Sequence, residues 1–426
     1  MLVLAVLLLP LLSTASSDHN RRHDHSHNAA KRLPSTWYHG SDHPVHSLFK
    51  RGEATDGITY AAVASTEWQS AYPPGPPTKL DPQAIPQAWK SALDAAIARK
   101  AIPDIPVAKA MGDDNPAYPA GMDPLSPQIC SATYKCRIKG DIWDVADGHL
   151  GISFDDGPTE ATPALLAFLK QNNQPVTHFM IGSNLISNPQ QFLAAFNQGN
   201  DIAVHTWTHP HMTTLSNLEV VAELGWTMEI IHNSTGGRIP KFWRPPYGDS
   251  DVRTTAIARE VFGLTTVIWN QDTLDWSLTT NGTTRQIVSA SMTDWIGGPK
   301  SPGLNILEHE TSDQSVQAFI AAYPMMKAKE WQVASLAQLI GDNKAYQNSA
   351  SNTGDVKLAK VGAAVDGAAG GASSTPPPTK TASQKNAAAA TSSRSASATP
   401  SSAASSRWAT GSTGTLAAAV LFMFWA

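Results

Sequence analysis

Two adjacent carboxylates, Asp155 and Asp156, stand after an apolar run and ahead of Gly157-Pro158, and two histidines four residues apart, His205 and His209, follow another such run. Neighbouring carboxylates that point in different directions can divide their work, one holding a metal while the other faces a substrate; a helix-capping acidic turn accounts for the same residues. Imidazoles at this spacing can converge on one ion, or they are one core and one surface histidine. Two His and one Asp form a frequent three-ligand catalytic set that leaves a coordination position open for water. Further on, Arg244-Pro245-Pro246-Tyr247-Gly248 holds an arginine and the Tyr247 amide in rigid places, because consecutive prolines abolish helix. An arginine there can form a structural ion pair or orient a carboxylate. The segments from Asp272 to Asp275-Trp276 and Leu307-Glu308-His309 complete the set.

Each of these segments closes an apolar stretch of strand length. Strands are expected at 149–154, 176–181, 202–206, 242–244, 264–269, 305–307 and 331–333, with helices between them, including 161–171 and 189–198. Ser216 and Glu219 make a capping box ahead of Leu218, Val221, Gly225 and Met228, whose spacing marks one helix face. Repeated βα units imply a parallel sheet. About seven of them in roughly 200 residues imply an α/β fold, a distorted parallel (β/α) barrel closed or nearly closed on itself. In such barrels chemistry sits just beyond the strands, which is where all five segments fall.

In this order the segments resemble the five motifs of the polysaccharide deacetylases of carbohydrate esterase family 4, the NodB-homology fold: 153–158, 205–209, 244–248, 272–276 and 307–309. The resemblance covers 150–340, under half of the chain. It implies that Asp156, His205 and His209 bind a divalent metal ion, zinc or cobalt, and that Asp155 is the general base, paired with Arg244. The Tyr247 amide would hold the oxyanion and Trp276 would wall the acetyl methyl. His309 would protonate the leaving amine, with Asp275 orienting its ring.

The remainder of the 426 residues locates this domain. A formal charge of −4 without a basic stripe gives a nucleic-acid-binding protein little support, and no such partner is expected. Two cysteines exclude a Cys-rich zinc module; in an oxidising compartment Cys130 and Cys136 are expected to close one small loop. Residues 1–15 read as a secretory signal. Residues 16–52 form a His-rich disordered segment that dibasic pairs could release, and 53–139 a Pro-rich extension with a helix near 86–100. The catalytic domain is placed at 140–345 and a Ser/Thr/Ala-rich low-complexity stalk at 346–406. Residues 407–426 have the polar spacer and apolar tail of a glycosylphosphatidylinositol (GPI) attachment signal, with the attachment residue within 401–405. Asn233 and Asn281 begin glycosylation sequons. The expected protein is a secreted, lipid-anchored monomer at a fungal cell surface, acting on chitin. Acetylated xylan and peptidoglycan are the alternative substrates, and a catalytically silent glycan-binding wall protein the alternative class.

Overall fold

The computed structural model describes residues 54–75, 79–112 and 114–362. The expected signal, the His-rich segment, the GPI-attachment region and the stalk beyond 362 lie outside them. In chain order the elements are α1 (Thr66–Ser70), α2 (Gln87–Ala98), β1 (Lys109–Met111), β2 (Asp114–Ala117), β3 (His149–Gly157), α3 (Thr162–Gln171), β4 (Thr177–Met180), α4 (Gly182–Ser187), α5 (Pro189–Asn197) and β5 (Asp201–Val204). There follow α6 (Asn217–Ser234), β6 (Phe242–Trp243), α7 (Val252–Phe262), β7 (Thr265–Thr266), β8 (Gln271–Asp272), α8 (Arg285–Gly297), β9 (Leu304–Leu307), α9 (Asp313–Ala328), β10 (Gln332–Ser335) and α10 (Leu336–Ile340).

The main sheet runs β7-β6-β5-β4-β3-β9-β8, with β10 beside the first half of β3. Each of its ladders is parallel. Every residue of β4, β5 and β9 is buried, as expected where a parallel sheet has both faces covered. On the outer face Phe154 meets Phe319 of α9 edge-on, with ring centroids 4.8 Å apart. No ladder joins β7 to β8 among the described residues, so the barrel is incomplete rather than closed. The strand expected over 264–269 ladders with β6 only at Thr265–Thr266; Val267 then forms an isolated parallel bridge with Ile142, and the chain passes on to β8, an element without a recognisable apolar run.

The helices begin where their caps lie. Ser216 and Glu219 exchange side-chain and backbone hydrogen bonds at the start of α6, and Asp251 caps α7, which stops at left-handed Gly263.

Residues before 140 and after 345 belong to the same core. Trp68 and Trp89 are almost fully buried. Trp68 Nε1 donates to Ser234 Oγ at the end of α6. Trp89 Nε1 donates to the Val361 carbonyl at 3.0 Å. Gly225 and Gly362 give this indole its room, since a Cβ on either would stand 2.5–2.6 Å from it. The boundary expected at 345 therefore falls short: Tyr346 is buried, and its hydroxyl accepts from the Ile202 amide, so the start of the expected stalk is packed chain.

Candidate active site

A bulge in β3 resolves the paired carboxylates. Asp155 lies opposite Phe179 and Gly157 opposite Met180, so Asp156 is the extra residue of a β-bulge. Its backbone is left-handed, with φ 70°. In a regular strand neighbours point to opposite faces; the bulge instead lets consecutive carboxylates both serve the barrel mouth, each facing a different partner. Asn184 of α4 pins the bulge by donating to the Asp156 carbonyl at 2.9 Å.

Beyond β5, Thr206 and His209 also take positive φ, 65° and 60°. This tight loop is held by Glu223 of α6, whose buried carboxylate accepts from the amides of Trp207 and Thr208 and from Thr208 Oγ1. It brings His205 Nε2 and His209 Nε2 to 3.2 and 3.1 Å from Asp156 Oδ1. Asp156, His205 and His209 are the group of potential metal ligands found among the described residues.

The chemistry of this set fits a metal ion. His205 Nδ1 is 2.7 Å from the Arg244 carbonyl, which can only accept, so that nitrogen carries the proton and Nε2 presents its lone pair to the centre. Asp156 Oδ1 is buried with no hydrogen-bond partner. Lone-pair atoms facing one another repel unless a cation lies between them, and ligands at zinc-like bond lengths in a tetrahedron stand roughly 3.3 Å apart.

Asp155 turns the other way. Arg244, wholly buried, donates through Nη1 to Asp155 Oδ1 at 2.7 Å and to Ser153 Oγ at 3.1 Å. Its Nη2 reaches Asn305 Oδ1 and the Ile268 carbonyl. The guanidinium lies over the Phe179 ring, 4.2 Å from the centroid. Burial pulls the pKa of this arginine down against the opposing charge of Asp155.

Asp275 grips His309 twice, with Oδ1 2.6 Å from Nδ1 and Oδ2 accepting the His309 amide at 2.9 Å. Burial pushes the imidazolium pKa down, but Asp275, assisted by Asp156 and Asp155, raises it to about 10. Asp272 serves the turn: its Oδ1 accepts from the Leu274 amide.

Tyr247, at φ 59°, is 56% exposed beside His209. His211 stacks on its ring at 4.1 Å, and Tyr247 Oη is 3.2 Å from His209 Nδ1. Trp276 is 50% exposed. A separate buried apolar cluster, Ala132, Trp143, Ile268, Trp269 and Leu307, lies next to Arg244, whose guanidinium is 6.0 Å from the Trp269 ring centroid. Ala132 lies inside the loop closed by the Cys130–Cys136 disulfide, and neighbouring Thr133 donates to Asp249. Asn281 is exposed on a turn, whereas Asn233 is half-buried and hydrogen-bonded to Glu229. Sequence reasoning missed Ser153, Glu223 and Asn305. The one available signal was polar residues inside otherwise apolar strands and helix faces.

Comparison with known proteins bears on the family of the chain. The family model described as polysaccharide deacetylase matches residues 144–267. Chitin deacetylase 3 of Cryptococcus neoformans is 40% identical over 337 residues, 77% of this chain and 78% of that protein. Chitin deacetylase 1 of Saccharomyces cerevisiae is 36% identical over 228 residues, covering 53% of this chain and 71% of that protein. Among solved structures, the chitin deacetylase of Colletotrichum lindemuthianum aligns with a TM-score of 0.44 and 24% identity over 49% of this chain and 95% of its own. On the sequence relationship, which spans most of both proteins, the chain belongs to the polysaccharide deacetylase family.

Proposed function

We propose that this protein hydrolyses the N-acetyl groups of chitin, giving chitosan and acetate, with a divalent metal ion such as zinc or cobalt held by Asp156, His205 and His209. The observation that carries the reading is the convergence of those three lone-pair atoms beside a buried Arg244–Asp155 pair on one side and the Asp275–His309 pair on the other. The chitin deacetylase names of its fungal relatives support the substrate.

Held by Asp156, His205 and His209, such an ion would supply Lewis acidity towards the acetamido carbonyl and water. Asp155, oriented by Arg244, accepts the proton of the attacking water. The Tyr247 backbone N–H donates to the developing oxyanion. His309, cationic through Asp275, passes a proton to the departing sugar amine. Trp276 walls the acetyl methyl, and the exposed ring of Tyr247 offers a face on which a sugar ring stacks. Secretion, the GPI anchor at the plasma membrane and cell wall, and action as a monomer form part of the same proposal, supported by the terminal sequence patterns.

Incubation of the purified protein with N-acetylglucosamine oligomers, acetylated xylan and peptidoglycan, reading acetate and product mass, tests this. Acetate from the oligomers alone is expected. Release only from xylan or peptidoglycan overturns the substrate, and no release from any of the three overturns the activity.

A further inference from the structure

Directly after His309 stands Glu310, a fully buried carboxylate that no step above uses. Its Oε1 is 2.6 Å from Nδ1 of His178 in β4, and both side chains are wholly buried. Its Oε2 accepts from Thr162 Oγ1 at the start of α3, also at 2.6 Å. Its backbone carbonyl accepts from Thr159 Oγ1. Its amide donates to the Asp155 carbonyl, while the Asp155 amide donates to the Glu308 carbonyl, so Asp155 and His309 are paired in a parallel bridge. Gly157 also answers to this carboxylate: a Cβ there would fall 2.1 Å from Glu310 Oε1, so this glycine is required by close approach.

A carboxylate buried among a histidine and hydroxyls adds little to stability over well-packed apolar residues, and a network of this kind can instead specify geometry. We propose that Glu310 is a positioning residue. By fastening the end of β9 to β4 and to the turn that follows the bulge, it sets the spacing between the acid, His309, and the Asp155–Asp156 pair. The inference rests on the assignment of His309 as acid.

Amide cleavage breaks a C–N bond whose nitrogen must receive a proton as it leaves, whereas an aryl acetate expels a phenolate that needs none. Slack in the spacing should therefore slow the amide and spare the ester. The test uses the full chain loaded with zinc, an N-acetylglucosamine tetramer and 4-nitrophenyl acetate. Glu310→Ala is expected to lower kcat on the tetramer by about 10-fold or more, with KM, zinc content and ester turnover within about two-fold of wild type. Equal losses on both substrates, loss of zinc, or an unchanged tetramer rate overturns the proposal. If that variant does not fold, Glu310→Gln keeps the shape and removes the charge facing His178. A loss of about three-fold or more on the tetramer alone is then expected, and an unchanged rate overturns the proposal. His309→Ala runs beside them: undiminished tetramer hydrolysis in that variant removes the acid assignment itself, and with it the proposal.

Discussion

Arg244 Nη1 stands 2.7 Å from Asp155 Oδ1, with the arginine fully buried and the aspartate nearly so. Removing one partner strands the other as an unpaired buried charge, which typically costs about 3–5 kcal/mol. Arg244→Met should therefore lose activity by roughly 100-fold or more and also lower the unfolding free energy. Arg244→Lys should rescue little, because one ammonium cannot replace a fork that reaches Asp155, Ser153, Asn305 and the Ile268 carbonyl. Denaturant titration beside acetate release decides; a Lys variant of native rate would show that only the charge matters.

The two carboxylates of the bulge separate by what they touch. Asp155→Asn should keep the metal ion and lose roughly 100-fold or more in turnover, the usual scale for a general base. Asp156→Asn, like His205→Ala or His209→Ala, should release the ion while the fold persists, since these residues lie at strand ends. Metal analysis of each purified variant checks this. Full metal content in both histidine variants contradicts the ligand set.

His309 supplies a pH dependence. Its folded pKa, about 10, lies above the usual value of about 6.5 for a free histidine. Its contribution to stability is thus complete below about pH 6.5 and is lost as pH rises towards 10. As an acid it works while protonated, so activity should fall on the alkaline side as it deprotonates. Asp275→Asn removes the main charge that raises this pKa and should move the alkaline limb to lower pH. An alkaline limb at the same pH in wild type and Asp275→Asn would falsify the assignment.

Location has its own test. A chain ending after Asp366 keeps every described residue and removes the expected attachment signal. It should be recovered from the culture medium with wild-type specific activity on oligomers, whereas the full chain should be released from cells by a phosphatidylinositol-specific phospholipase. Retention of the truncated chain at the cell surface would refute the anchor.

What could be seen in advance followed residue type. The strands that lead to Asp155, His205, Arg244 and His309 are visible because apolar runs stop at ionisable residues. The bulge is not, because an extra residue in a ladder is a backbone event that the string Ser153-Phe154-Asp155-Asp156 does not encode. Glu310 and His178 are 132 residues apart, and each alone reads as an ordinary polar residue. Glu223 hid on the capped helix α6 because its partners are mostly backbone amides. The packed stretch after 345 escaped for the same reason: the Val361 atom that matters is a carbonyl oxygen.

That carbonyl has a consequence for synthesis. Trp89 is made 272 residues before the group its indole binds. At ribosomal speeds of about 5–20 residues per second, roughly 15–55 s separate the two. Throughout that interval the indole waits without its last partner, and Gly362, which completes its cavity, follows one residue later still. The barrel can assemble as its strands emerge, but the seam that locks the beginning of the chain to its end closes only once nearly all of the folded part has left the ribosome. The nascent protein thus holds Trp89 without its carbonyl partner for tens of seconds, an interval set by the distance along the chain between one tryptophan and one carbonyl.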